Sequence, residues 1–262
     1  MGESIIDGSW VLPVVLSVLG LLVGAYGTLI GVGGALLLVP AMIFLYPEAD
    51  PLVITAVSLS IVLINALGAV VAYARQRRID YRNGIIFAAA TIPGVILGVW
   101  TLQFISRPAF SLILGLVMIT IAAFLLFRQE PANARTITSN GYDCNRPLGS
   151  GLSLGAGYLA GLLGIGGGII HVPVLVYILH FPAHVATATS SFILLFTATA
   201  GVLLHLAQGN YGANWDIILW LAAGVVVGSQ LGALLSQRLH GSALIKLLAL
   251  ALVVTGIRLT IG

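Results

Sequence analysis

Two glycine clusters, Gly31-Val32-Gly33-Gly34-Ala35 and Gly164-Ile165-Gly166-Gly167-Gly168, stand 133 residues apart in a chain of 262. Each is followed at the same distance by a proline, Pro40 and Pro173. Bare backbone of this kind lets a small oxyanion approach main-chain N–H groups closely. A helix beginning just beyond it adds unpaired amides and the positive end of its dipole. Neutral donors follow each cluster: Thr55, Ser58 and Asn65 after the first, and Thr187, Thr189, Ser190, Ser191, Thr197 and Thr199 after the second. Ser58 and Asn65 are seven apart, as are Ser190 and Thr197, which puts each pair on one helical face. No Asp, Glu, Lys or Arg falls in the middle of any apolar run. Recognition of an anion here must therefore rest on dipoles and neutral hydrogen-bond donors.

Each of these residues also has a plain structural reading. Glycines can mark a tight turn between short helices. Serine and threonine in apolar helices commonly bond back to the i−4 carbonyl or across to a neighbouring helix. What favours a ligand role is the duplication, with the proline and the hydroxyls held at matching distances. His171, three residues beyond the second cluster, suits proton coupling, with a neutral, satisfied imidazole as the equal alternative. For His205 the neutral reading is preferred. His180 and His184 have no third ligand near them in sequence, so no metal site is expected. There is no Gly-Lys-Ser/Thr and no βαβ context, which excludes the phosphate-loop and dinucleotide fingerprints. An intramembrane enzyme would need a carboxylate to orient a histidine base, and the apolar runs hold none. No cofactor is implied.

The composition says where these residues must sit. The chain is 59% hydrophobic and 7% charged, with a mean hydropathy of +1.11, against roughly 25% charged residues in soluble domains. Such a surface faces lipid, and its net charge of +3 reflects basic loops rather than a nucleic-acid partner. The single cysteine, Cys144, lies in a polar connecting segment and suggests neither a disulfide nor a thiolate metal site. Glu3 and Asp7, with no basic residue among the first ten, argue against a cleavable signal peptide.

Apolar runs at 11–30, 52–74, 84–104, 109–127, 185–207, 217–235 and 243–261 approach the ~20 residues that cross a bilayer. Those at 35–46, 151–165 and 168–179 are too short, as half-length or re-entrant helices are. The expected fold is an all-α polytopic membrane protein of two repeats. Each repeat is a broken, re-entrant two-helix hairpin followed by three transmembrane helices. The first repeat covers 1–127, a cytoplasmic linker 128–149, and the second repeat 150–262. Arg75, Arg77, Arg78 and Arg82 place the loop between the third and fourth segments in the cytoplasm. Counting onward puts Arg128, Arg135, Arg146, Arg238 and Lys246 on the same side. Of the 11 Lys and Arg, only Arg107 and Arg258 fall outside, and both termini are periplasmic.

The repeat extends past the glycines. Thr55-Ala56-Val57-Ser58 matches Thr187-Ala188-Thr189-Ser190, Arg75-Gln76 matches Ala207-Gln208, and Tyr73 matches His205. Gly94 and Gly98 pair with Gly224 and Gly228, extended by Gly232, as small-residue helix-packing faces. The basic loop 75–82 aligns with 208–216, which carries no basic residue and ends on Trp215 and Asp216, the latter placed to cap a helix. Matching segments with reversed charge bias mark inverted-topology halves, and paired helix breaks in such halves point to a transporter's binding site.

The order of these motifs resembles the TauE/SafE sulfite exporter family over both halves, roughly residues 12–127 and 150–260. The resemblance implies a multi-pass permease of the bacterial inner membrane for a small sulfur-containing anion, sulfite or an organosulfonate. It carries the family pattern onto Gly31, Gly33, Gly34, Pro40, Thr55 and Ser58, and onto Gly164, Gly166, Gly167, Gly168, Pro173, Thr187 and Ser190. Ala35 departs from it where the second copy has Gly168, so an asymmetric site is expected. Export by alternating access is the leading expectation. An anion channel, or a permease for a non-sulfur carboxylate, are its rivals. Glycine-rich, lipid-facing helices leave homodimerisation open.

Overall fold

The computed structural model describes residues 11–127, 137–138, 141–142, 144–212 and 214–261. Glu3, Asp7, Arg128 and Arg135 lie outside the described residues. Ten helices among the described residues account for most of the structure: α1 (Val11–Ile30), α2 (Ala35–Leu45), α3 (Pro51–Arg75), α4 (Tyr81–Leu102), α5 (Arg107–Phe127), α6 (Arg146–Leu163), α7 (Gly168–Pro173), α8 (Ala183–Ala207), α9 (Trp215–Arg238) and α10 (Gly241–Ile261). Among the described residues, extended pairing is confined to β1 (Ile137–Thr138) and β2 (Gly141–Tyr142), an antiparallel contact two residues long. The chain is an all-α polytopic membrane protein. Among the described residues six helices, α1, α3, α4, α5, α8 and α9, are long and apolar enough to cross a bilayer, and α10, on the run 243–261 expected to span, is not among them.

Two of the three runs expected to be half-length, 35–46 and 168–179, form short helices, whereas 151–165 belongs to the 18-residue α6. α2 has 11 residues, and α7 continues through a five-residue π-helical stretch, Val174–Ile178, directly after Pro173. Proline supplies no N–H, and the bonds just beyond it widen: Leu179 N donates to Val174 O at 2.9 Å and Phe181 N to Leu175 O at 2.8 Å. Pro40 in α2 causes no such change. α6 begins five residues before its apolar run, because Asn145 Oδ1 accepts from Leu148 N at 3.1 Å and Pro147 presets the first turn. Asp216 is not a cap: Asn214 holds that position, its side chain donating back to Tyr211 O at 2.9 Å and making no capping bond, and Asp216 lies in the first turn of α9, where its charge still favours the helix dipole.

The ends of α3 and α8 match in detail. Arg78 N bonds to Tyr73 O at 3.2 Å and Arg77 N to Ala74 O at 3.0 Å, with Arg77 left-handed at φ 54°. After α8, Asn210 N bonds to His205 O and Gly209 N to Leu206 O, both at 3.1 Å, with Gly209 at φ 71°. This is one C-terminal motif built twice, once with the glycine it favours and once with an arginine.

Helices pair by exchange between the halves. α1 lies along α9, where Gly20 and Gly24 meet the backbone of Leu221 and Val225, and Gly224, Gly228 and Gly232 meet that of Ser17, Leu21 and Ala25. Both numberings rise together, so the two helices are parallel. α6 lies along α4 in the same way, with Gly94 and Gly98 on Leu154 and Tyr158, and Gly157 and Gly161 on Thr91 and Val95. A Cβ at any of these glycines would strike backbone, so the small-residue spacing is a packing face. α5 packs on α10, and α3 on α8. Leu59 meets Gly201, while Val62 and Leu194 share the same glycine neighbours, so α3 and α8 cross in opposite directions. Large apolar side chains such as Leu22, Leu97, Trp100, Leu219 and Leu234 remain exposed, as a lipid-facing surface requires.

Candidate functional site

The glycine clusters are breaks between α1 and α2 and between α6 and α7. Gly31, Gly33 and Gly34 take φ of 77°, 81° and 83°, and Gly164, Gly166 and Gly167 take 69°, 69° and 86°. Three left-handed residues within four positions explain the Gly-x-Gly-Gly spelling, since a Cβ is penalised at each. Gly168 is glycine for another reason. A Cβ there would lie 2.6 Å from Val32 Cα and 2.8 Å from the Gly31 oxygen, so the two breaks touch.

The helices that cross between the breaks hold each of them. Ser58 Oγ on α3 donates to Gly164 O at 2.8 Å, and Ser190 Oγ on α8 donates to Gly31 O at 2.8 Å. Thr55 Cγ2 packs against Gly164 and Thr187 Cγ2 against Gly31. The hydroxyls of those threonines turn back along their own helices, Thr55 to Pro51 O, and Thr187 to Ala183 O at 2.7 Å. Gly33 and Gly166 both face Val62 and Leu194.

Part of the break backbone is satisfied locally. Val32 N and Gly33 N bond to Gly27 O at 2.8 and 3.2 Å, Gly31 N to Thr28 O at 3.1 Å, and Gly164 N to Ala160 O at 2.9 Å. The buried amides of Gly34, Ala35 and Leu36, and those from Ile165 to Ile169, have no acceptor among the described residues. Buried amides without partners are rare in folded chains. Here they sit in two adjoining clusters at the starts of the short helices.

The remaining sequence candidates divide by position. Asn65 Oδ1 accepts from Thr28 Oγ1 at 2.9 Å, one turn before the first break, while its Nδ2 is buried without a partner. His171 Nδ1 meets Gly167 O at 3.0 Å. A carbonyl can only accept, so Nδ1 carries the proton and the buried, unpartnered Nε2 offers a lone pair. Thr197 bonds to Thr91 at 3.1 Å and back to Ile193 O at 3.0 Å. Ser191 bonds back to Thr187 O at 3.0 Å and Thr199 to Leu195 O at 2.6 Å. Thr189 is taken elsewhere: its Oγ1 accepts from Asp80 N at 3.0 Å. Asn210 Nδ2 donates to His205 Nδ1 at 2.9 Å. Among the described residues no three His, Cys, Asp or Glu come together to hold a metal ion.

Sequence reasoning missed Thr28 and Thr91, which pair with Asn65 and Thr197, and it missed Val62 and Leu194. It also missed a buried polar knot before α4. Asp80 Oδ2 accepts from Asn83 Nδ2 at 2.8 Å and Tyr142 N at 3.0 Å, Asn83 Nδ2 also donates to Tyr142 O at 2.8 Å, and Arg146 Nε donates to Asn83 Oδ1 at 3.1 Å. Burial, and then the Asp80 charge, raise the Tyr142 phenol above its ordinary pKa. Nearby, Arg78 donates to Gln76 Oε1 at 2.9 Å and Ser236 Oγ at 3.3 Å, and burial lowers its pKa.

Paired helix breaks inside a bundle of apolar spans define a polytopic membrane protein of the solute-carrying kind. The model of the family described as Sulfite exporter TauE/SafE matches residues 16–259, and the chain belongs to that family. Its relatives include the "Probable membrane transporter protein YunE" of Bacillus subtilis (strain 168), 30% identical over 82% of this chain and 83% of that one. Others are the "Probable membrane transporter protein y4hK" of Sinorhizobium fredii, 29% identical over 78% of this chain and 81% of its own, and the "Probable membrane transporter protein MJ0441" of Methanocaldococcus jannaschii, 25% identical over 76% of each. No solved structure matches the chain significantly.

Proposed function

We propose that this protein is a secondary carrier that exports a small sulfur-containing anion, sulfite or an organosulfonate, across the bacterial inner membrane. The observation that carries the reading is the pair of touching breaks with buried, unclaimed amides. An oxyanion needs several donors from one small region, and these are present without any cation beside them. Asn65 Nδ2, buried without a partner, adds a side-chain donor, while Ser58 and Ser190 hold the break carbonyls in place. The family is described as one of sulfite exporters, and the relatives are named as membrane transporters. Inside-negative potential drives an anion outward with roughly 2.3 kcal/mol per charge per 100 mV, so export needs no coupled ion.

The halves 1–127 and 150–262 act as inverted repeats that expose the breaks to each side in turn, with both termini periplasmic. Antiparallel crossing of α3 and α8 supports inversion, because these helices correspond in sequence. The reciprocal serine contacts support it too, since a two-fold operation exchanges them. Purified protein is to be titrated with sulfite, sulfate, thiosulfate, sulfoacetate and lactate, and then reconstituted for counterflow. Saturable binding and counterflow of sulfite or a sulfonate are expected. A clear response to lactate alone overturns the substrate class, and unsaturable flux overturns the carrier.

A further inference from the structure

We propose that Val62 and Leu194 form a paired apolar lid over the two breaks and set the size of the anion admitted. This rests on the breaks being the anion site. The two residues hold equivalent places, each the twelfth residue of a 25-residue helix, and both are fully buried. They are the side chains on which the breaks converge. A Cβ built on Gly33 would lie 3.0 Å from Val62 Cγ1 and 3.2 Å from Leu194 Cδ2, and one on Gly166 would lie 2.5 Å from Leu194 Cδ2 and 2.7 Å from Val62 Cγ1. One on Gly168 would lie 2.9 Å from Leu194 Cδ1. Methyl groups from both crossing helices therefore fill the space beside the bare backbone of both breaks.

Polar residues flank this apolar pair on the same helix faces. Ser58 lies one turn before Val62 and Asn65 one turn after it, while Ser190 and Thr197 bracket Leu194. Ser58 and Ser190 hold the break carbonyls, Asn65 reaches Thr28 beside the first break, and Thr197 reaches Thr91. Each crossing helix thus presents a polar, apolar, polar succession to the centre. A branched aliphatic residue offers an oxyanion no hydrogen bond. It excludes water from the backbone amides, and it meets whatever part of the solute points away from them. A solute settling against Gly33 and Gly166 must displace these methyls or fit beside them, so their bulk limits the non-oxyanion end. Removing one methylene equivalent from such a wall changes preference by about tenfold or more.

The test uses the full chain in proteoliposomes, with methane-, ethane- and propanesulfonate competing against sulfite transport. Wild type should be inhibited progressively less as the alkyl chain grows. Val62→Ala and Leu194→Ala should each strengthen the two longer competitors by about tenfold relative to methanesulfonate. Val62→Thr, which keeps the shape, should leave the order unchanged. An unchanged order in alanine variants that still carry sulfite overturns the lid, since a merely structural residue would not alter size preference.

A second arm needs no substrate. Val62→Cys and Leu194→Cys, each made in a Cys144→Ser background, are to be treated in vesicles with a membrane-impermeant methanethiosulfonate. Reaction from at least one face is expected, and inertness of both cysteines from both faces overturns the proposal. Reactive cysteines in a protein that carries no sulfur anion would support the lid while sinking the sulfur assignment.

Discussion

Ser58 Oγ sits 2.8 Å from the carbonyl oxygen of Gly164, 106 residues away in sequence, and Ser190 repeats the relation with Gly31 at 2.8 Å. Each half of the chain thus closes the other half's break. The carbonyls concerned have lost their helical partners, because the glycines beside them turn left-handed. The serines supply the missing donors within the bundle, where water cannot.

Removing either hydroxyl leaves a buried carbonyl unsatisfied, at about 1–3 kcal/mol. Ser58→Ala and Ser190→Ala should therefore each lower the unfolding midpoint in detergent, by similar amounts because the geometries match. Transport in proteoliposomes should fall in both. Wild-type stability and flux in the two variants would show that the cross-braces carry no weight.

Glycine replacement separates backbone from bulk. Gly33→Ala forces a Cβ onto a φ of 81° and to 3.0 Å from Val62, which costs on the order of 1–2 kcal/mol for the left-handed backbone alone. Gly155, exposed on α6 with open space around it, is the control, where alanine should be neutral or gain up to about 1 kcal/mol of helix propensity. The expected result is lost transport for Gly33→Ala and full transport for Gly155→Ala. Equal behaviour of the two would remove the conformational argument for the break.

The breaks were legible because only glycine tolerates three left-handed positions in four, and because the pattern occurs twice. Six spans were legible from apolar length, though the run 243–261 is not among them, and the packing faces were legible from the Gly94 and Gly224 series. The partners were not. Ser58 and Ser190 announce a polar contact, yet nothing local says that each reaches a carbonyl in the opposite half. Val62 and Leu194 are apolar residues in apolar helices, indistinguishable by type from their neighbours until the crossing of α3 and α8 sets them against the glycines. The start of α6 was missed because capping by Asn145 outweighed the polar composition of its first turn. The left-handed Arg77 was equally invisible, since arginine takes there a conformation that glycine signals after α8.

Asp80 offers a separable prediction on the side where the basic loop lies. Its carboxylate caps α4 through Asn83 N at 3.1 Å and holds Tyr142 N at 3.0 Å. Asp80→Ala removes the cap, at about 0.5–2 kcal/mol, and strands a second amide. Amide exchange at Tyr142 and Asn83 should accelerate together, whereas exchange at Val62 in the bundle centre stays slow. Acceleration confined to Asn83 would mean that Tyr142 is held by its ring contact with Phe181 and not by the carboxylate.

Arg107 is one of the two basic residues that the charge rule sets apart from the other nine, and its contacts supply a structural role for it. Its guanidinium donates to Ala49 O, to Ile43 O at 3.0 Å and to Tyr46 O at 3.2 Å, so it covers the carbonyls at the end of α2. A half-length helix presents its negative end within reach of the bundle edge, and a fixed cation there offsets both the unpaired carbonyls and the dipole. It also steadies the helix whose first amides belong to the break. Arg107→Ala should lower stability by about 1–2 kcal/mol and reduce transport. Arg107→Lys should recover part of each, since an ammonium brings the charge but not the planar fork that reaches three carbonyls. Thermal unfolding and sulfite counterflow on both variants check this. If lysine restores nothing, the geometry of the fork decides. If alanine matches wild type, the cap has no role in holding α2.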